Sequence, residues 1–513
     1  MILNRSFGAF VAVSILVACC GSALGQAGGY FVYVAEPNPS RGHSATTLSA
    51  VNDGGVAVGS SDTPGTFTTL GVMKTVDAIS YYVSSTDCRP YGYLYFVGIT
   101  NLNTIVGVDA TQCGGFHRPT ITTSANPAIR SIVTAALPGA GDAVALEAND
   151  NGVIVGWSNT QIGCPPPLCT MTTAHPIRWT NGVLEPLNMA GRPVGFAAGV
   201  NLVGDACGSL LPGNPLSFEV SNAVVWPYGS TNGILLPTLG GAYGHAEDIS
   251  DGGAIVGWSL NANGAKRATM WIGGTSPFAL DLGVLEGDVA SAAIGVNGST
   301  QSVGQSISGS GVATAVYFTG RGQVVDLNTR LINNTQRVRL TDASCLNNNG
   351  WITANGVLPN GQRRGAILVP CVENPSVQAP TTLCRGEEFA ISVVPVGAAT
   401  TYQWRKDGVP IDPMVNPSSI TATLTGIARY ASIGAYDCLV TSECGAAESD
   451  AVGLVVCLGD YNCDDVSDFF DYLNFIQDFA EERPAADINE DGSVDFFDYL
   501  ELVQWSADPR CQS

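Results

Sequence analysis

Short apolar runs, many of them β-branched, alternate with turns of Asn, Asp and Gly along most of this chain. That pattern predicts strands closed by tight turns rather than helices. One ten-residue phrase recurs seven times. AVNDGGVAVG ends at Gly59, GITNLNTIVG at Gly107, EANDNGVIVG at Gly156, GVNLVGDACG at Gly208, DISDGGAIVG at Gly257, GVNGSTQSVG at Gly304 and CLNNNGWITA at Ala354. The intervals are 48, 49, 52, 49, 47 and 50 residues. Each copy reads as strand, positive-φ turn and second strand. An aromatic strand such as HPIRWTNG or RATMWIGG follows, then a further strand such as GILLPTL.

Three to four strands in about 49 residues is the content of one propeller blade. The expectation is a mainly β protein whose residues 30–370 form a seven-bladed β-propeller. The last copy lacks its final strand, and an extra strand, YFVYVAEP, precedes the first copy. Pairing of that strand into the last blade would close the ring and remove free sheet edges.

The pattern changes at Cys371. EEFAISVVPV, TTYQWRKDGVPI, ITATLTGI, ASIGAYDCLVTSECG and DAVGLVVC are spaced as strands of a small sandwich over residues 371–457. Residues 458–513 change again: DYNCDDVSDFFDYLNFIQDF from Asp460 aligns with DINEDGSVDFFDYLELVQW from Asp487, 27 residues later. This segment holds 15 Asp or Glu against two Arg, Arg483 and Arg510.

Within each segment, oxygen side chains fall at the first, third, fifth, ninth and twelfth positions of a loop, a spacing that suits calcium. The second loop offers Asp487, Asn489, Asp491, Asp495 and Asp498, with the Ser493 carbonyl at position seven and Gly492 at the turn. The first offers Asp460, Asn462, Asp464, Asp468 and Asp471, with the Val466 carbonyl at position seven and Asp465 where Gly belongs. Two Ca2+ sites are expected, the second loop being the better formed. No helix enters either loop, so only the exiting helices FFDYLNFIQDFA and FFDYLELVQW are expected.

Composition narrows the rest. With 61 Gly, 28 Pro, 13% charged residues and a net charge of −22, the chain repels nucleic acid and anionic membrane. Residues 1–25 carry Arg5, the apolar run FGAFVAVSILVA and small residues at Ala23 and Gly25, the pattern of a cleaved signal peptide. A lipoprotein cleavage box ending at Cys19 is the alternative. The expected location is secreted or cell surface, and no segment reads as a transmembrane helix. Two of the 15 Cys lie in the signal, and the other thirteen are expected in disulfides apart from one odd thiol. Cys164 and Cys169, in CPPPLC, are expected to bridge locally.

Catalytic signals are sparse. The four His are His43, His117, His175 and His245, and no HExxH, Walker or GxSxG motif occurs. His43 and His245 precede strands in similar phrases and are expected to hydrogen-bond between blades. Asp53, Asp150 and Asp251 recur in the turn phrase, which assigns them to turn geometry.

Three resemblances extend this reading. The phrases, best seen in GHAEDISDGGAIVGWS, resemble the HAF repeats of exported bacterial proteins. YQWRKDGVPI followed by GAYDC resembles a bacterial immunoglobulin-like domain, which implies a buried Trp404 and a corner tyrosine at Tyr436. Val393 stands where such domains carry their first cysteine, and Cys384 is expected to pair with Cys444 or Cys438. The duplicated loop–helix pair with DFFDYL resembles a GC-type dockerin. That resemblance implies calcium-dependent anchoring to a cohesin-like or cell-surface partner. Most of Phe469, Phe470, Phe496 and Phe497 are expected in the core, with one of each pair able to face a partner, and a Cys463–Cys511 bridge is expected if the two repeats pack in pseudo-twofold fashion.

The function implied is a non-enzymatic binding or display protein, with a carbohydrate or protein ligand on the propeller. The alternative is a dockerin-anchored polysaccharide hydrolase or lyase.

Overall fold

The computed structural model describes residues 29–63, 69–82, 92–111, 116–123, 125, 131–132, 143–159, 174–212, 219–274, 276–320, 322–371, 373–380, 382–396, 401–442, 445–464 and 466–506. Residues 1–25, expected as a signal peptide, and the Cys164–Cys169 loop lie outside them. The fold is mainly β: a propeller, an immunoglobulin-like sandwich, and a tail with two helices.

The propeller sheets follow the repeat. Ala143–Ala148, Ile154–Asn159, Ala174–Thr180 and Val183–Pro186 pair in chain order, each antiparallel to the next. The same order holds from Val194 to Leu235, from Gly240 to Gly283 and from Asp288 to Asp326. The first two copies, Ala45–Tyr82 and Gly92–Ile132, join through a single parallel pairing of Thr69 with Tyr93. In the remaining sheet, Arg339–Leu346, Ile352–Val357 and Arg363–Pro370 are followed by Tyr30–Val34, which pairs antiparallel with Arg363–Pro370. Leu331–Ile332 lies parallel to Tyr30–Val34 on the outside.

Why the phrase ends in Gly is visible in the packing. A Cβ added at Gly59, Gly107, Gly156, Gly208, Gly257 or Gly304 would collide with the carbonyl oxygen of the paired inner strand. At that level every inner strand carries a register shift, between Leu48 and Ala50 in the first copy and between Ala343 and Cys345 in the last. A bulge turns the carbonyl toward its neighbour; Gly leaves it room in six copies, and the seventh accommodates Ala354 there. The aromatic third strand fills the space between sheets. Trp179, Trp226 and Trp271 are buried, and the indoles of Trp226 and Trp271 donate to Asn188 O (3.0 Å) and Pro237 O (2.6 Å). Burial of an aromatic with its N–H satisfied is a large stabilising term.

In the sandwich, Glu373–Gln378, Glu388–Val396 and Thr423–Ile427 form one sheet. Val409–Pro410, Thr401–Lys406, Gly434–Ser442, Gly445–Glu448 and Val452–Leu454 form the other. Trp404 is fully buried and donates to Thr421 O (2.9 Å), and the Tyr436 hydroxyl donates back to Ser432 O (2.7 Å). Val393 is buried and Cys438 is a free thiol, so no disulfide joins the two sheets at that point.

The tail helices are α1 (Phe469–Ala480) and α2 (Phe496–Ser506). Asp468 caps α1 by accepting from Phe470 N, and Asp471 accepts in return from Asp468 N, a reciprocal capping box. The tail core is not self-contained. Phe475, Ala486, Ile488 and Leu502 pack with Ala428 and Val456 of the sandwich.

The cysteine pairings differ from expectation. Cys384 is bonded to Cys463, so neither Cys384 with Cys444 or Cys438 nor Cys463 with Cys511 is formed. The parallel pairing of Leu383 and Cys384 with Val456 and Cys457 carries the Cys384 backbone alongside the strand that enters the tail. Three thiols are free among the described residues, Cys207, Cys345 and Cys438, rather than a single odd one. Cys371 and Cys457 are each disulfide-bonded as well.

Candidate functional site

The recurring turns form a ring of cross-sheet hydrogen bonds. Asn52 Nδ2 donates to Thr100 O (3.1 Å), Leu102 N to Asp150 Oδ1 (3.1 Å) and Asn149 Nδ2 to Asn201 O (2.7 Å). Leu202 N donates to Asp251 Oδ1 (2.8 Å) and Val296 N to Asp248 Oδ2 (2.8 Å). Asn297 Nδ2 then donates to Asn347 O (3.1 Å), and Asn347 Nδ2 closes the circuit on Asn52 O (2.8 Å). Asp53 accepts from Asn348 N (2.8 Å) and Asn101 Nδ2 (3.0 Å). The turn carboxylates are therefore structural, but each acts on the neighbouring turn rather than on its own.

Inside this ring lies a cavity of ≈ 370 Å³, lined by the inner strand and turn of every copy. The residue after each bulge faces the next sheet: Ala50, Gly98, Glu147, Gly199, Asp248, Gly295 and Cys345. A Cβ at Gly199 would meet Asp248 Cα at 3.0 Å, and one at Gly295 would meet Cys345 Cα at 2.9 Å. Glycine in one sheet thus makes room for the larger residue of the next.

Glu147 and Asp248 are the two acids at this level. Glu147 accepts from Val200 N (2.9 Å), and Asp248 accepts from both Ile249 N (2.7 Å) and Val296 N (2.8 Å). Burial pushes Glu147 well above the usual carboxylate range, with repulsion from Asp248 adding to it. Burial likewise raises Asp248 to about 6, against the pull of its two backbone N–H donors. Burial also pushes the Cys207 thiol up, and Cys345 to about 12, so neither is a ready nucleophile. The chain text did carry a signal for Glu147 and Asp248. In EANDNG and EDISDGG an acid stands where other copies have Ala, Gly or Cys.

The histidines have ordinary partners. His43 Nδ1 lies 3.1 Å from Ser61 Oγ within its own sheet, whereas His245 Nδ1 lies 3.3 Å from Ser221 Oγ of the preceding one. Only His245 makes a bond between blades of the kind expected. Burial lowers the pKa of His175, and His117 carries no described side chain.

Most of the backbone-to-side-chain bonds of one tail loop recur in the other. Asp464 N and Asp491 N donate to Asn462 Oδ1 (3.0 Å) and Asn489 Oδ1 (2.9 Å). Val466 N and Ser493 N donate to Asp464 Oδ1 (3.1 Å) and Asp491 Oδ1 (2.9 Å). Asp471, buried, accepts from Asn462 N (2.9 Å) and Asp468 N (2.7 Å); Asp498, buried, accepts from the equivalent Asn489 N (3.2 Å) and Asp495 N (2.9 Å), and from Ile488 N (2.7 Å) as well. Asp460 and Asp487 accept from Asp464 N and Asp491 N, at 3.1 Å and 3.2 Å. Cys463 and Glu490, at equivalent loop positions, both adopt left-handed backbone.

Among the described residues no three His, Cys, Asp or Glu side chains converge as a ready metal cage. The carboxylates are turned onto backbone N–H groups instead. The donor set is all oxygen. Hard, negatively charged oxygens fit calcium rather than zinc or copper.

Phe469, Phe470, Phe496 and Phe497 are 62–66% exposed, which overturns the expected core role. Phe470, Phe469 and Phe496 form a continuous ridge with two tyrosines. Phe469 stacks on Tyr472 (6.4 Å), Tyr472 meets Tyr499 edge-on (6.3 Å), and Phe496 stacks on Tyr499 (5.9 Å). Leu473, Leu500 and Val503 extend its exposed apolar surface.

No family model and no curated protein matches this chain. Among solved structures it is similar to TolB from Acinetobacter baumannii, at 10% identity and a TM-score of 0.36, over 52% of this chain and 62% of that one. The chain thus spans less than two thirds of TolB. It is also similar to a lectin of Aleuria aurantia in complex with alpha-methyl-L-fucoside, at 10% identity and a TM-score of 0.29, over 69% of this chain and 96% of that one. Murine CEACAM1b gives 11% identity and a TM-score of 0.16, over 50% and 95%. At such scores the fold assignment rests on the sheets described above. No helix among the described residues is long and apolar enough to cross a membrane.

Proposed function

We propose that this is an exported, non-enzymatic binding or display protein, attached to a cell surface or extracellular complex through a calcium-dependent, dockerin-like tail. A seven-bladed propeller of HAF-type repeats presents the ligand surface. The tail holds Ca2+ at Asp487, Asn489, Asp491, Asp495 and Asp498 with the Ser493 carbonyl. The second ion sits at Asp460, Asn462, Asp464, Asp468 and Asp471 with the Val466 carbonyl. Bound there, calcium would neutralise the loop carboxylates and fix α1 against α2.

The observation that carries the reading is the exposed aromatic ridge. Four phenylalanines standing in water on an otherwise acidic module form a surface that calls for a partner. The test is retention of the purified chain on envelopes of producing cells, with calcium or with chelator. Retention in calcium, release by chelator, and loss in the Phe470→Asp/Phe497→Asp variant are expected. Retention indifferent to both would contradict anchoring.

A second reading, a carbohydrate-active enzyme, is favoured by one observation: two raised-pKa carboxyls in one cavity. Both oxygens of Asp248 already accept backbone N–H bonds, which suits a structural acid better than a catalytic one. Polysaccharide turnover that disappears in Glu147→Gln would establish the enzymatic reading.

A further inference from the structure

We infer that Arg385 and the Cys384–Cys463 bridge are positioning elements of the two calcium loops, so that the sandwich serves as the scaffold on which the tail binds its ions. This rests on the calcium reading above. Neither loop has an entering α-helix. The first follows the strand Val456–Cys457, and the second follows the short turn Pro484–Ala486. In each, something else must hold the incoming backbone.

For the first loop that element is covalent. Cys463 is the fourth residue of the loop, lies in left-handed backbone between Asn462 and Asp464, and is tied to Cys384 across 79 residues of sequence. The bridge pins the loop at its turn, where three of its oxygen donors are closest in sequence. For the second loop the element is a guanidinium. Arg385 donates to Ala485 O (2.6 Å) and Asp487 O (2.6 Å), which fixes the main chain of the loop's first residue. A planar fork holding two carbonyls restricts the backbone more than a single point charge does. The two devices sit on adjacent residues, Cys384 and Arg385, one for each loop. Below them, Ala428, Leu458, Phe475, Ile488 and Leu502 make a common core for both units.

Preorganisation appears as affinity, because a loop already ordered loses less freedom when it binds. It is also reciprocal. If the bridge strengthens calcium binding, calcium strengthens the bridge by the same factor.

The test uses the full chain, calorimetry with CaCl2, and thiol–disulfide equilibration with dithiothreitol. Dithiothreitol reduces the Cys384–Cys463 bond to two thiols and is itself oxidised to its cyclic disulfide. The expected result is two ions per chain in the unaltered protein. Cys384→Ser/Cys463→Ser should weaken the first site at least about tenfold, and Arg385→Ala should weaken the second about fivefold. Arg385→Lys should restore part of that loss. Saturating calcium should lower the fraction of Cys384–Cys463 reduced at fixed dithiothreitol by a matching factor. That last readout needs no variant to fold. Equal calcium affinities in all proteins, together with reduction unaffected by calcium, would overturn the inference. Absence of calcium binding to the unaltered chain would overturn the calcium reading itself, and this inference with it.

Discussion

Both the propeller and the tail are built by duplication, and both use Asn- and Asp-rich turns, yet they use the same side chains in opposite ways. In the propeller, Asp150 takes its hydrogen bond from Leu102 and Asp251 from Leu202, each on the neighbouring sheet. In the tail, Asp471 and Asp498 take theirs from their own loops. The first arrangement satisfies carboxylates by closing a ring, and it needs no ion. The second gathers acids in two short loops, the arrangement proposed above to take calcium. A turn's composition therefore does not reveal its role; the partner of its side chain does.

Four changes would break or sharpen that contrast. The largest effect is expected from Phe475→Ala, in the core shared by sandwich and tail, at about 3–5 kcal/mol. Hydrogen exchange should then speed up in α1 and in Gly434–Ser442 together. Loss confined to α1 would separate the two units. Calcium removal comes next. At free calcium about tenfold above Kd, each ion contributes about 1.4 kcal/mol, about 3 kcal/mol for the two. Chelation should lower the tail's unfolding midpoint in urea by a matching amount, leaving the propeller's midpoint where it is.

A smaller loss, about 1–3 kcal/mol, is expected for Asn347→Ala, which opens the ring at Asn52 O and orphans Trp351 N. Here the propeller should respond and calcium affinity should not. The smallest effect concerns pH. Asp248 is raised from 3.8 to about 6, so the folded propeller holds its proton more tightly than the unfolded chain. The stability this confers is full below the unfolded value and is lost as pH rises through about 6. Solvent screening at the open cavity reduces it to about 1 kcal/mol. Asp248→Asn should flatten this part of the pH profile between pH 4 and 7, and an unchanged profile would remove the assignment.

Much of the β architecture was legible. The recurring phrase marks the inner hairpin of each copy, and its final Gly reports the bulge carbonyl beside it. Trp404 and Tyr436 take the places that the immunoglobulin-like resemblance implied for them. The exposed ridge was misread for a physical reason. In α1 the inward stripe runs through Asp471 and Phe475, with a carboxylate occupying its first place. Phe469 and Phe470, although more apolar, fall off that stripe at the helix start. The Cys384–Cys463 bridge was illegible because it depends on a two-residue parallel pairing, Leu383 with Val456 and Cys384 with Cys457, that no local pattern encodes. Glu147 and Asp248 were overlooked because the neighbouring turn acids recur, whereas these two interrupt a series of small residues.

The central claim is that calcium acts on the sandwich–tail unit and not on the propeller. Scanning calorimetry of the full chain, in calcium and in chelator, tests it most directly. The account predicts two transitions, of which only the one assigned by hydrogen exchange to residues 371–506 moves upward with calcium. Two transitions that both stay in place, or a propeller transition that moves, would contradict it.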